Sequence, residues 1–145
     1  MKLLLIIAGV IEAVAGLALL LIPTVAVSAL LGIPLDTATG LVAGRIAGAA
    51  LVALAIACWQ ARNGERGSSA TGVVEAMSFY NFAAAMVLVY AGIRLDHRSA
   101  LLWPAIVLHL GLGVWCVSNL WFSRGADRRS GPGCPRHRML ASKKR

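Results

Sequence analysis

Glu12, Arg45, Asn81 and His109 each interrupt a different long apolar stretch, and they are the side chains with which this chain could do chemistry. They supply a carboxylate, a permanent cation, an amide and an imidazole whose ordinary pKa of about 6.5 suits it to proton exchange. A lone charge near the centre of a membrane helix costs about 2.5–3.5 kcal/mol on an insertion scale. Pairing Glu12 with Arg45 would remove much of that cost and leave hydrogen-bonding capacity for Asn81 and His109.

Two readings are open. In the first the four residues form a site: Arg45 binds an anionic or carbonyl-bearing ligand, and Glu12 and His109 move protons. In the second, Glu12 and Arg45 are a structural ion pair that fixes helix register, with Asn81 and His109 as interhelical hydrogen-bond partners. Other chemistries lack their residues. There is no P-loop, no nucleophile elbow and no paired-carboxylate arrangement. Cys58, Cys116 and Cys134 form no CxxC, and the first two read as buried apolar cysteines. His97, His109 and His137 are scattered with no metal-ligand spacing. No catalytic residue is assigned and no cofactor is required; a quinone ring, or more remotely a haem held by His109 alone, is the cofactor chemistry left open.

The elements that must carry these residues follow from composition. The 145 residues are 59% hydrophobic and 14% charged, with a mean hydropathy of +0.77, which places the chain in the membrane class. Four stretches, 3–22, 40–60, 71–93 and 101–122, are long enough to cross a roughly 30 Å hydrocarbon core. None alternates with period two, so helices are the expected spanning form. The expected fold is all-α, an up-down bundle of four transmembrane helices over residues 1–122, followed by a basic tail over 123–145. The first stretch could be read as a signal peptide. Its length and the mid-run Glu12 favour a retained helix instead. Residues 24–33 are apolar but too short to span, and should extend the first helix beyond Pro23 or form an interfacial turn before Pro34.

Small residues mark the faces on which membrane helices pack. Gly9, Glu12 and Gly16 share a stripe, as do Gly40, Gly44 and Gly48, beside which Arg45 stands. Ser78, Asn81 and Ala85 share another, and Ala105, His109 and Gly113 a fourth. All four polar residues are therefore expected to point into the bundle. At about 1.5 Å of rise per residue, Arg45, His109, Glu12 and Asn81 lie at roughly 7, 12, 15 and 18 Å from one membrane face, close enough to meet in a layer.

Eleven Lys and Arg fall on the side that holds both termini, and only Arg94 and Arg98 on the other. Both ends should thus face the cytoplasm, with the chain in the cell inner membrane. Trp59 and Trp121 near one face and Tyr90 and Trp103 near the other fit interfacial anchoring. The tail is too polar to order alone and too poor in aromatics for nucleic acid, so anionic lipid is its expected partner. Glu75 is expected at the start of the third helix as a dipole partner, and Asp36 as a cap or turn residue before the second. Residues 94–98 read as a solvated outer turn.

The runs PLDTATGLVAGRIAGAALVALAIACWQAR, YNFAAAMVLVYAG and LLWPAIVLHLGLGVWC resemble small four-helix membrane proteins of bacteria, broadly the DoxX-like group, over about residues 1–122. The resemblance implies a four-helix inner-membrane protein and, in some relatives, association with quinone-linked respiratory or thiol-redox complexes. The cysteines here do not fit a thiol role, and the resemblance hands over no catalytic residue. The expected function is that of a non-enzymatic accessory subunit or small-ligand binder, acting with a membrane-complex partner or as a homo-oligomer. The alternatives are a quinone-associated redox component, with Arg45 or His109 donating to a carbonyl, and a proton-coupled transporter using Glu12.

Overall fold

The computed structural model describes residues 1–63, 68–94 and 99–129, and only the backbone of residues 68, 69 and 124–129. The described residues form five α-helices and no strand: α1 Lys2–Leu21, α2 Pro23–Leu31, α3 Ala38–Ala61, α4 Ser68–Arg94 and α5 Leu102–Arg129. Stretches of 20 to 25 residues in α1, α3, α4 and α5 are long and apolar enough to cross a membrane. The protein is an all-helical, multi-pass membrane protein in form, as its hydropathy implies.

Residues 24–33 neither continue the first helix nor form a simple turn. Pro23 lacks an N–H and crowds the residue before it. Ile22 accordingly leaves the helical region at φ −132° and ψ 56°, and α2 restarts with proline in its first turn. Gly32 ends α2 in the left-handed conformation at φ 81°. Two side chains tie this segment down: Thr24 Oγ1 donates to Leu35 O at 3.0 Å, and Ser99 Oγ donates to Ala29 O. Asp36 lies in the turn before α3, but the cap is Thr37, whose hydroxyl accepts from Gly40 N at 3.1 Å. Glu75 is not a helix-start residue, because α4 already begins at Ser68 and has no acid in its first turn. α5 runs on to Arg129, so the tail expected from 123 onward begins as helix; residues 64–67 and 130–145, and positions 95–98 of the expected outer turn, lie outside the described residues.

The bundle is two pairs. α1 packs along α3 and α4 along α5, while α3 meets α4 and α1 meets α5 through far fewer residues. Glycine sets the first pairing. A Cβ added to Gly16 would lie 2.8 Å from Gly48 O, and one added to Gly48 would lie 2.7 Å from both Gly16 O and Leu20 N. Only hydrogens in both places let the two backbones approach this closely. The expected glycine stripe of α3 is therefore used inside the chain: Gly48 against α1, and Gly44 against Leu35 and Pro23. In the second pair Gly113 accommodates the Phe82 ring.

The two pairs share one core, made by Leu4, Leu5 and Ala8 of α1, Cys58 of α3, Val74 and Met77 of α4, and Cys116 and Leu120 of α5. It occupies the half of the bundle that holds the N-terminus. Cys58 and Cys116 are buried free cysteines within it. In the opposite half, the buried residues outside the shared core include Gly16, Pro23 and Gly48 on one side and Ala85, Ala91, Leu102 and Ile106 on the other. The outer surface is apolar, and Trp59, Trp121, Tyr90 and Trp103 are exposed near the helix ends, where interfacial anchors belong. Arg62 stacks on Trp59 with its guanidinium carbon 3.5 Å from the ring centroid. A lipid-facing groove of about 370 Å³ lies between α1 and α3, lined by residues such as Val10, Ala13, Val52 and Ile56, with Trp59 and Gln60 among them; it does not include Glu12.

Candidate functional site

Where the shared core ends, polar groups begin. Glu12 follows Ala8 by one helical turn on the inner stripe of α1 and is 1% exposed. Asn81 follows Met77 by one turn on α4 and is fully buried, with Ser78 beside it on the same face. Gly9 and Gly16 flank Glu12 on its stripe, and it is their tight fit against α3 that turns the carboxylate away from lipid.

The hydrogen bonds fix the orientation of each group. Asn81 Nδ2 donates to Met77 O at 2.8 Å, one turn back on its own helix. That leaves Asn81 Oδ1 as the acceptor facing His109 of α5, 2.9 Å from Nδ1. His109 Nδ1 therefore carries the proton and donates, which makes Nε2 of the neutral ring an acceptor. Tyr80 joins the two halves of the cluster. Its ring meets the His109 imidazole edge-on, with centroids 5.8 Å apart and planes at 80°, and its hydroxyl lies beside the Glu12 carboxylate. Glu12 Oε1 is buried and has no hydrogen-bond partner among the described residues. Buried polar atoms are rarely left this way, because each forfeits its hydration without replacement.

Three of the four expected residues, Glu12, Asn81 and His109, thus form one linked cluster with Tyr80. Arg45 does not join them. It is exposed on α3, and it makes no hydrogen bond or ion pair among the described residues. The reason is angular. At 100° per residue, Arg45 sits about 60° around the helix from Gly48, the residue that faces α1. The stripe buried against α1 is narrow, with Gly48, Ala55 and Cys58 on it, so that offset turns Arg45 outward. An outward arginine is tolerable here because it lies two turns from the start of α3, about 10 Å from that end, where a long side chain can snorkel to the interface. The expected Glu12–Arg45 ion pair is absent, and an anion site built on Arg45 inside the bundle is absent with it.

Tyr80 was the residue missed. Its signal was available: a phenol in the middle of an apolar span, at a depth similar to Glu12, needs a partner for its hydroxyl. Among the described residues no three His, Cys, Asp or Glu side chains come together as a metal site. No protein-family model, no curated protein and no solved structure matches this chain. The chemistry of the cluster is therefore argued from its own atoms.

Proposed function

We propose that this chain is a small inner-membrane protein that binds a small ligand, without turnover, at the polar cluster of Glu12, Tyr80, Asn81 and His109. The observation that carries the reading is Glu12 Oε1, a buried carboxylate oxygen with no hydrogen-bond partner among the described residues. A group serving only to lock helix register would be expected to find partners, as Asn81 does for both its amide nitrogen and its oxygen through Met77 and His109. Both termini face the cytoplasm in this reading, on the strength of eleven Lys and Arg on their side of the membrane against two on the other. The basic residues beyond Phe122 rest on anionic lipid.

A quinone was an attractive occupant while two donors, Arg45 and His109, faced the core. With Arg45 outward and the His109 N–H given to Asn81, a quinone carbonyl would find only acceptors at the imidazole. The resemblance to DoxX-like proteins carries no residue role into the proposal. Native mass spectrometry of the detergent-purified protein tests it. Wild type and Arg45→Gln should retain a common small-molecule adduct that Glu12→Gln loses. Identical spectra for all three would refute ligand binding at Glu12, and the same spectra report how many copies associate.

A further inference from the structure

The sign of the ligand can be read from which hydrogen-bonding positions remain open. The Tyr80 hydroxyl lies beside the Glu12 carboxylate, the His109 N–H goes to Asn81 Oδ1, and one of the two Asn81 N–H groups goes to Met77 O. What remains without a partner is a buried acceptor, Glu12 Oε1; the second Asn81 N–H and the Ser78 hydroxyl, on the neighbouring face of α4, are uncharged. Among the described residues Glu12 has no ion-pair partner, and Arg45 is exposed on α3. A carboxylate buried to this degree in a membrane span needs either a proton on it or a cation beside it.

We propose that the cluster is a site for a protonated organic amine, which exchanges at Glu12 with a proton. The assignment rests on the ligand-binding reading above and gives it a substrate class. An ammonium group supplies both the N–H donor and the positive charge that Oε1 lacks. Charge and protons balance: when the carboxyl arrives protonated, R–NH3⁺ enters, the Glu12–COOH proton leaves to solvent, and a carboxylate–ammonium pair remains. The titratable groups around Glu12 are Cys58 of α3 and Tyr80 of α4, with His109 and Cys116 of α5 one contact further; α2 carries none. None of these is a permanent cation that could replace the ligand.

The probe is benzylammonium, titrated into the full chain in detergent or nanodiscs and followed by calorimetry and by proton release in weak buffer. Benzyltrimethylammonium, which has no N–H, and benzyl alcohol, which has no charge, are the comparisons. Wild type and Arg45→Gln should bind benzylammonium alike, with release of up to one proton per cation. Affinity should fall roughly tenfold or more in Glu12→Gln, as expected for loss of a charge-assisted contact. Benzyltrimethylammonium should bind more weakly than benzylammonium, and benzyl alcohol should not compete. If Glu12→Gln fails to fold, proton release by wild type decides alone, because displacement from a buried carboxyl requires it. Equal binding by wild type and a folded Glu12→Gln, or binding without proton release at any pH between 5 and 9, overturns the proposal. A neutral adduct held in a Glu12-dependent way, with no benzylammonium binding, refutes the amine class and leaves the ligand site standing. Absence of any Glu12-dependent ligand refutes both.

Discussion

Alanine at four glycines should act with opposite signs, and geometry decides which. At Gly48 an added Cβ would lie 2.7 Å from Gly16 O and Leu20 N, whereas ordinary contact begins at 3.4 Å, so α1 and α3 would have to part by about 0.7 Å (3.4 − 2.7). At Gly16 the corresponding contacts are 2.8 Å to Gly48 O and 2.9 Å to Val52 N. The opposing atoms are backbone and cannot rotate away. A gap of about 0.5–1 Å forfeits roughly a quarter to a half of the dispersion well of each pair it opens. Overpacking of this kind costs about 1–3 kcal/mol, against about 1 kcal/mol gained in helix propensity when glycine becomes alanine. Gly16→Ala and Gly48→Ala should each destabilise by up to about 2 kcal/mol on balance. The double variant should cost less than the sum, since one separation of the helices accommodates both methyl groups. Gly72 and Gly111 have nothing within 4 Å of the added carbon. Their alanine variants should be neutral or more stable by up to about 1 kcal/mol. Reversible unfolding in mixed micelles, followed by circular dichroism, gives all five values. Equal tolerance at all four positions would refute the close crossing of α1 and α3.

Glu12→Gln and Arg45→Ala should be additive within about 0.5 kcal/mol in the same unfolding assay, because the two side chains do not meet; a coupling above about 1 kcal/mol would restore the ion pair. Asn81→Ala and His109→Ala remove the two ends of one hydrogen bond and should couple by about 0.6–1.7 kcal/mol, the range seen for such bonds in membranes. For topology, Cys134 is a native reporter in the basic tail. A membrane-impermeant maleimide added to intact spheroplasts should leave it unlabelled until the membrane is opened, and labelling from outside would invert the orientation.

Much of the architecture was legible because length and apolarity alone dictate spanning helices when no water can satisfy the backbone. Helical spacing also placed Glu12, Asn81 and His109 correctly, since each shares a face with small residues that must pack. Arg45 was misplaced by the same rule. Proximity to a glycine stripe sets a direction only to within one residue, and 60° to 100° of rotation separates a core position from a lipid-facing one. Energetic reasoning pushed the same way, by assuming that a charge in a span must be paired, whereas arginine near a helix end can reach the interface alone. Tyr80 was hidden for the opposite reason: an aromatic ring in an apolar run looks like packing until a carboxylate is found beside its hydroxyl. The break at Ile22 was foreshadowed by Pro23. The return of α2 depended on contacts from Leu35 and Ser99, well removed in sequence from the helix they hold.

The partner of Glu12 is the point on which the account turns, and magic-angle-spinning NMR of the protein in lipid bilayers can identify it. With the carboxyl carbons of glutamate labelled, together with tyrosine ring carbons and arginine guanidinium nitrogens, the Glu12 signal is assigned by its loss in Glu12→Gln. It should show a dipolar contact to Tyr80, one of only two tyrosines in the chain, and none to a guanidinium. A Glu12 contact to an arginine that vanishes in Arg45→Gln, with no contact to tyrosine, would contradict it.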